Sequence, residues 1–169
     1  MNEEYTLKQI PEDFIVEEVI DLKLTPAGFE KLKEEQRMLT EKRPGVVKRL
    51  TAAREQGDLS ENAGYHAARE ELGYVDSRLR TLKLLIRSAD VLEATSSDHV
   101  TFGCTVTVDD GELTREFVIV SGLEADPLEG KMSDSSPIGS ALIGKMVGDN
   151  VEIMVPDGKV SYKILKIAK

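Results

Sequence analysis

A chain of 169 residues with 40% hydrophobic and 31% charged side chains has the make-up of an ordinary soluble protein, with room for one domain or two small ones. No apolar run approaches the roughly 18 residues of a spanning helix, the N-terminus is acidic where a secretory signal is basic and apolar, and one cysteine, Cys104, builds neither a disulfide framework nor a metal cluster. The net charge of −9 argues against a protein that coats duplex nucleic acid, which needs cations to neutralise phosphate, and together these features predict a cytoplasmic protein.

The charge is unevenly spread. Residues 1–22 carry seven acids and one base, residues 23–93 fourteen bases and twelve acids, and residues 94–169 twelve acids and seven bases. Only the middle segment is suited to lie beside RNA or DNA. The chain therefore divides into an acidic extension over 1–22, a helical hairpin over 23–94 and a C-terminal domain over 95–169. Within the extension, Phe14-Ile15-Val16 is a candidate strand or docking segment.

Thr25 is suited to cap a first helix, with Pro26 at its first position. Phe29, Leu32, Leu39, Val46, Leu50 and Ala53 form its apolar stripe, with sevens from Leu32 through Leu39 and Val46 to Ala53. Pro44-Gly45 is expected to kink or interrupt this helix, and Gly57 suits its end. From residue 60 to 93, Tyr65, Ala68, Leu72, Val75, Leu79, Leu82, Ile86 and Ala89 alternate by three and four, predicting a second helix roughly 50 Å long. The short link makes the two helices antiparallel neighbours with a tip near 57–61.

Beyond residue 94 the helical period stops. Residues 99–109 and 113–121 read as strands around Asp109-Asp110-Gly111. Ser136-Pro137 opens a short helix with Gly144 near its end. Residues 151–155 and 160–167 form a last hairpin. The fold class is α+β: a long antiparallel helical hairpin, then a small domain of mainly antiparallel strands.

The tip carries Asp58 and Glu61. Taken alone, an acceptor followed by glutamate three residues on reads first as a capping box at a helix start, where acids also suit the dipole. Such a cap would equally fix two carboxylates at the end of a rod, and hard oxygen ligands are what magnesium prefers. Arg54 and Arg69 read first as parts of a solvated helix face. Tyr65 belongs to the seam, His66 to packing or solvent, and Cys104 to a strand core.

The run AAREQGDLSENAGYHAAREEL, residues 52–72, resembles the tip signature of the bacterial Gre transcript-cleavage factors, closer to their A-type than their B-type members. LTPAGFEKLKEEQRML and Arg43-Pro44 resemble the family's first helix, and SPIGSALIGKMVGDNVEIMVPDG its C-terminal domain, so the resemblance covers residues 23–169. It implies a C-terminal domain like the FK506-binding proteins, docked on the rim of the RNA polymerase secondary channel, with the coiled coil inserted into it. It further implies that Asp58 and Glu61 help hold a second Mg2+ ion shared with the polymerase, and that Ser60 places water or RNA. Arg54 and Arg69 would lie near the extruded RNA 3′ end, and the factor, a monomer and not itself an enzyme, would stimulate cleavage of backtracked RNA. Two departures stand out: the acidic extension, and Gly64, which is expected to weaken the second helix by up to about 1 kcal/mol. Competing readings are a channel-binding inhibitor of polymerase, a peptidyl-prolyl isomerase suggested by the C-terminal fold, and a coiled-coil adaptor. The isomerase suffers from a C-terminal segment whose only aromatics are Phe102, Phe117 and Tyr162.

Overall fold

A computed structural model describes residues 22–57, 59, 61–95, 98–155 and 158–169. The acidic extension with Phe14-Ile15-Val16, and the tip residues Asp58 and Ser60, lie outside the described residues.

Two long helices form the antiparallel hairpin. Helix α1 spans Pro26–Glu55, with Pro26 at its start and Thr25 as its cap; helix α2 spans Ala63–Ser88. The seam follows its spacing: Val46 and Ala53 on α1 and Ala68, Val75 and Leu82 on α2 are buried. Salt bridges tie the helices along their flanks. Glu35 accepts two bonds from Arg78 at 2.6 and 2.8 Å, Asp76 accepts from Arg43 at 2.6 and 3.2 Å, and Glu71 pairs with Lys42 at 2.8 Å and with Arg49.

Two expectations are corrected. Helix α1 runs unbroken through Pro44. The proline faces solvent, as does Thr40, whose carbonyl loses its helical donor there, so water can satisfy the freed group. The second helix is shorter than predicted, about 39 Å for 26 residues. It stops at Ser88, because Ala89–Val91 forms a strand, β2, which pairs in parallel with β1, Leu22–Leu24. Leu22 and Leu24 bury their side chains and Leu92 N–H bonds the Leu24 carbonyl at 2.9 Å; this tertiary pairing overrides the helical period at Ala89.

The C-terminal domain is a five-stranded sheet in the order β5-β4-β3-β7-β6. Its strands are β3 Thr105–Asp109, β4 Thr114–Val120, β5 Lys131–Ser133, β6 Asn150–Val155 and β7 Gly158–Ala168. The β4–β5 pair is parallel and the others antiparallel. Helix α3, Pro137–Leu142, starts on the Ser136 cap and closes the core with Leu142. That core holds Val106, Val108, Ile119, Ile153 and Ile164, with Phe117 edge-on to Tyr162 at 5.9 Å. Cys104 belongs to the same core, where burial pushes its thiol pKa up. The first predicted strand is cut back to residue 105 because the chain turns at Gly103, whose φ of +82° suits glycine. Strand β5 was not foreseen, since the segment before it reads as loop.

Candidate functional site at the hairpin tip

Helix α1 ends where its sequence directs. Gln56 is the C-cap, its N–H bonding the Ala53 carbonyl at 3.3 Å, and Gly57 follows at φ +95°, a left-handed conformation open to glycine. The return into α2 is governed by Asn62. Its Oδ1 accepts the Tyr65 N–H at 2.9 Å, capping α2, and its Nδ2 donates to the Ala53 carbonyl at 2.9 Å. One side chain thus starts the second helix and fastens it to the end of the first.

This revises the capping reading of the acidic pair. The cap of α2 is Asn62, so Glu61 stands one residue ahead of the cap, exposed. A carboxylate there faces the positive end of the α2 dipole without being consumed as the cap. Asn62 is the residue that the sequence reading missed. Its signal was present, an N-cap type three residues before a seam tyrosine, but Asp58 and Ser60 are cap types too.

Gly64 also gains an explanation. A Cβ at that position would stand 3.3 Å from Asn62 Oδ1, crowding the oxygen that caps the helix. A shallow cleft beside the tip is lined by Ala52, Ala53, Gly64, Ala67 and Ala68, with Arg49, Gln56 and Glu71 at its margin. These small residues keep the end of the hairpin narrow.

Arg54 is exposed in the last turn of α1 and Arg69 exposed in the second turn of α2, so both cations belong to the tip end of the rod. Tyr65 is half-buried, as a seam residue should be, and His66 meets it edge-on at 5.6 Å between ring centroids. Among the described residues no group of three or more histidine, cysteine, aspartate or glutamate side chains could hold a metal ion. Glu61 is a hard oxygen donor of the type magnesium accepts.

The sequence matches two family profiles in succession. One describes the N-terminal part of a transcription elongation factor, over residues 22–91; the other the C-terminal part of the GreA/GreB transcription elongation factors, over residues 95–169. The chain is 46% identical over 151 residues to the transcription elongation factor GreA of Bacillus licheniformis, covering 86% of this chain and 95% of that protein. It is 43% identical over 148 residues to the GreA of Paracoccus denitrificans, covering 85% and 95%. A crystal structure of GreA factor homolog 1 from Thermus thermophilus aligns with a TM-score of 0.42 at 30% identity, covering 88% of this chain and 99% of that one.

Proposed function

The chain belongs to the GreA/GreB family of transcription elongation factors, and on that premise we propose how its hairpin tip promotes the cutting of backtracked RNA. As a family member it acts on RNA polymerase as an elongation factor that stimulates transcript cleavage. The C-terminal domain docks on the rim of the secondary channel and the hairpin enters. With 30 residues in α1, the rod reaches about 45 Å from its base.

The observation that carries this reading is the placement of Glu61, an exposed carboxylate just ahead of a helix that Asn62 has already capped. Asp58 and Glu61 would hold the second magnesium ion together with the polymerase's own carboxylates. Held by these residues, such an ion would supply stabilisation of the negative charge that develops in phosphodiester hydrolysis. The remaining work falls to this chain's side chains. Asn62 fixes the exit from the loop, Arg54 and Arg69 attract the phosphates of the extruded 3′ end, and Ser60 orients water or RNA. As an elongation factor and not an enzyme, the chain lends these groups to the polymerase, on which cleavage depends. The isomerase reading loses ground, because the interior of the C-terminal sheet is filled by its own side chains, with Phe117 against Tyr162.

The test adds the protein, with magnesium, to a purified backtracked bacterial elongation complex and follows short 3′ RNA fragments. Wild type should release them; the Asp58→Ala, Glu61→Ala double variant should bind the complex equally well and release none. Slowed elongation without fragments from wild type would mark an inhibitor. Loss of binding in the double variant would refute the division between a docking domain and an acting tip.

A further inference from the structure

The first turn of α1 is not self-contained. Thr25 Oγ1 accepts the Gly28 N–H at 3.1 Å, as an N-cap should. In a capping box, the third helical residue is a glutamate or glutamine whose side chain reaches back to the backbone N–H of the cap. Here that third residue is Gly28. The carboxylate arrives instead from Glu124, on the C-terminal domain 99 residues along the chain. Its Oε2 accepts the Thr25 N–H at 2.9 Å, and its Oε1 accepts a short hydrogen bond from the Thr25 hydroxyl.

Glu124 is itself held for this task. Its backbone N–H bonds the Ser121 carbonyl at 3.0 Å, and Ser121 Oγ donates to Oε2 at 3.3 Å. Gly28 is buried, and a methyl group on it would overlap the Glu124 carboxylate. Around this contact the junction is loosely filled. A cleft of about 490 Å³ is lined by Leu24, Ala27 and Leu32 on the hairpin side and by Val118 and Val120 of β4 with Leu123 from the turn after it.

We propose that Glu124 is a positioning residue for transcript cleavage: it completes the capping box of α1 from the other domain and so sets the direction of the hairpin. The proposal rests on the functional reading above. Its lever is length. Over the 30 residues of α1, about 45 Å, a swing of about 5° at Thr25 moves the tip by about 4 Å, twice a magnesium–oxygen bond. A rod free to swing would still dock through its C-terminal domain and would seldom present Glu61 correctly.

Two readouts test this in the full-length protein. First, spin labels at Lys48→Cys on α1 and Lys166→Cys on β7 report the angle between hairpin and sheet; native Cys104 is buried. Glu124→Ala and Gly28→Ala should each broaden the distance distribution, while Thr25→Ser, which keeps the hydroxyl, should not. Second, both broadening variants should cut the cleavage rate at saturating factor by about a hundredfold, with the half-saturating concentration unchanged. Gly28→Ala is the sharper case, since it keeps Glu124 and displaces its carboxylate from Thr25 with a methyl group: a purely structural role predicts a less stable protein that still cleaves fully at saturation. Distributions as narrow as wild type, or full cleavage at saturation, would overturn the proposal. The label measurement needs no polymerase, so a wild-type chain that fails to cleave sinks the functional reading while the labels still decide the contact.

Discussion

The carboxamide of Asn62 uses its oxygen for the start of α2 and its nitrogen for the end of α1. Truncation to alanine removes both. Loss of the cap costs about 1 kcal/mol, and loss of the bond to the Ala53 carbonyl adds about 1 kcal/mol more. Asn62→Ser separates the two roles, because a serine hydroxyl caps a helix but is too short to reach Ala53. We expect the serine variant to unfold within about 1 kcal/mol of wild type in chemical denaturation, yet to cleave backtracked RNA more slowly, since the loop bearing Glu61 has lost its tie to α1. Cleavage at the wild-type rate would show that capping alone orders the tip. At this scale the sequence is ambiguous for a physical reason. Asp58, Ser60 and Asn62 are all good caps, and only a tertiary acceptor, the Ala53 carbonyl, selects among them. Gly64 misled in the same way: propensity marks it as a weakness, while its neighbour Asn62 leaves little room for a side chain.

At the scale of elements, the hairpin was the most legible part of the chain. Its period of sevens survives as a buried line through Val46 and Ala53 of α1 and Ala68, Val75 and Leu82 of α2. What the period does not carry is the ion-pair lattice on its flanks. Arg78 holds the Glu35 carboxyl below its ordinary range, Arg43 does the same to Asp76, and Lys42 and then Arg49 to Glu71. Carboxyls lowered on folding stabilise the folded state fully above their unfolded pKa values, near about 4, and lose that contribution as pH falls through the lowered values. The thermal midpoint of the hairpin should therefore hold from neutral pH down to about 5 and decline below about 4. A triple variant, Glu35→Gln, Glu71→Gln and Asp76→Asn, should start lower at neutral pH and decline less steeply, as followed by circular dichroism. Identical slopes would mean that these exposed pairs contribute nothing. The elements that escaped the sequence reading, β1, β2 and β5, are three residues each. Strands so short show no alternation, and their existence depends on partners distant in the chain.

For the whole molecule, the proposed function assigns distance to the hairpin and attachment to the sheet. The α+β class and the order of its parts were legible because helical period and strand alternation occupy different stretches of sequence. The contact that joins them was not, because Glu124 and Gly28 have no local pattern and Glu124 reaches Thr25 across 99 positions. If reach is what the rod supplies, shortening it without disturbing either end should separate binding from action. Residues 36–42 and 74–80 lie opposite one another in the hairpin and take with them Lys42, Asp76 and Arg78 of the flanking ion pairs, which as exposed pairs contribute little. Deleting both removes one heptad from each helix, so Leu32 falls seven residues before Val46 and Ala68 seven before Leu82. The seam stays in register while the tip retreats by about 10 Å. Such a chain keeps its loop, its cap at Asn62 and its docking domain. It should compete with wild type for polymerase at similar concentrations and leave backtracked RNA uncut. If it cleaved as well as the full-length chain, the tip would be acting somewhere other than at the far end of a fixed reach, and the length of the two helices would need another cause.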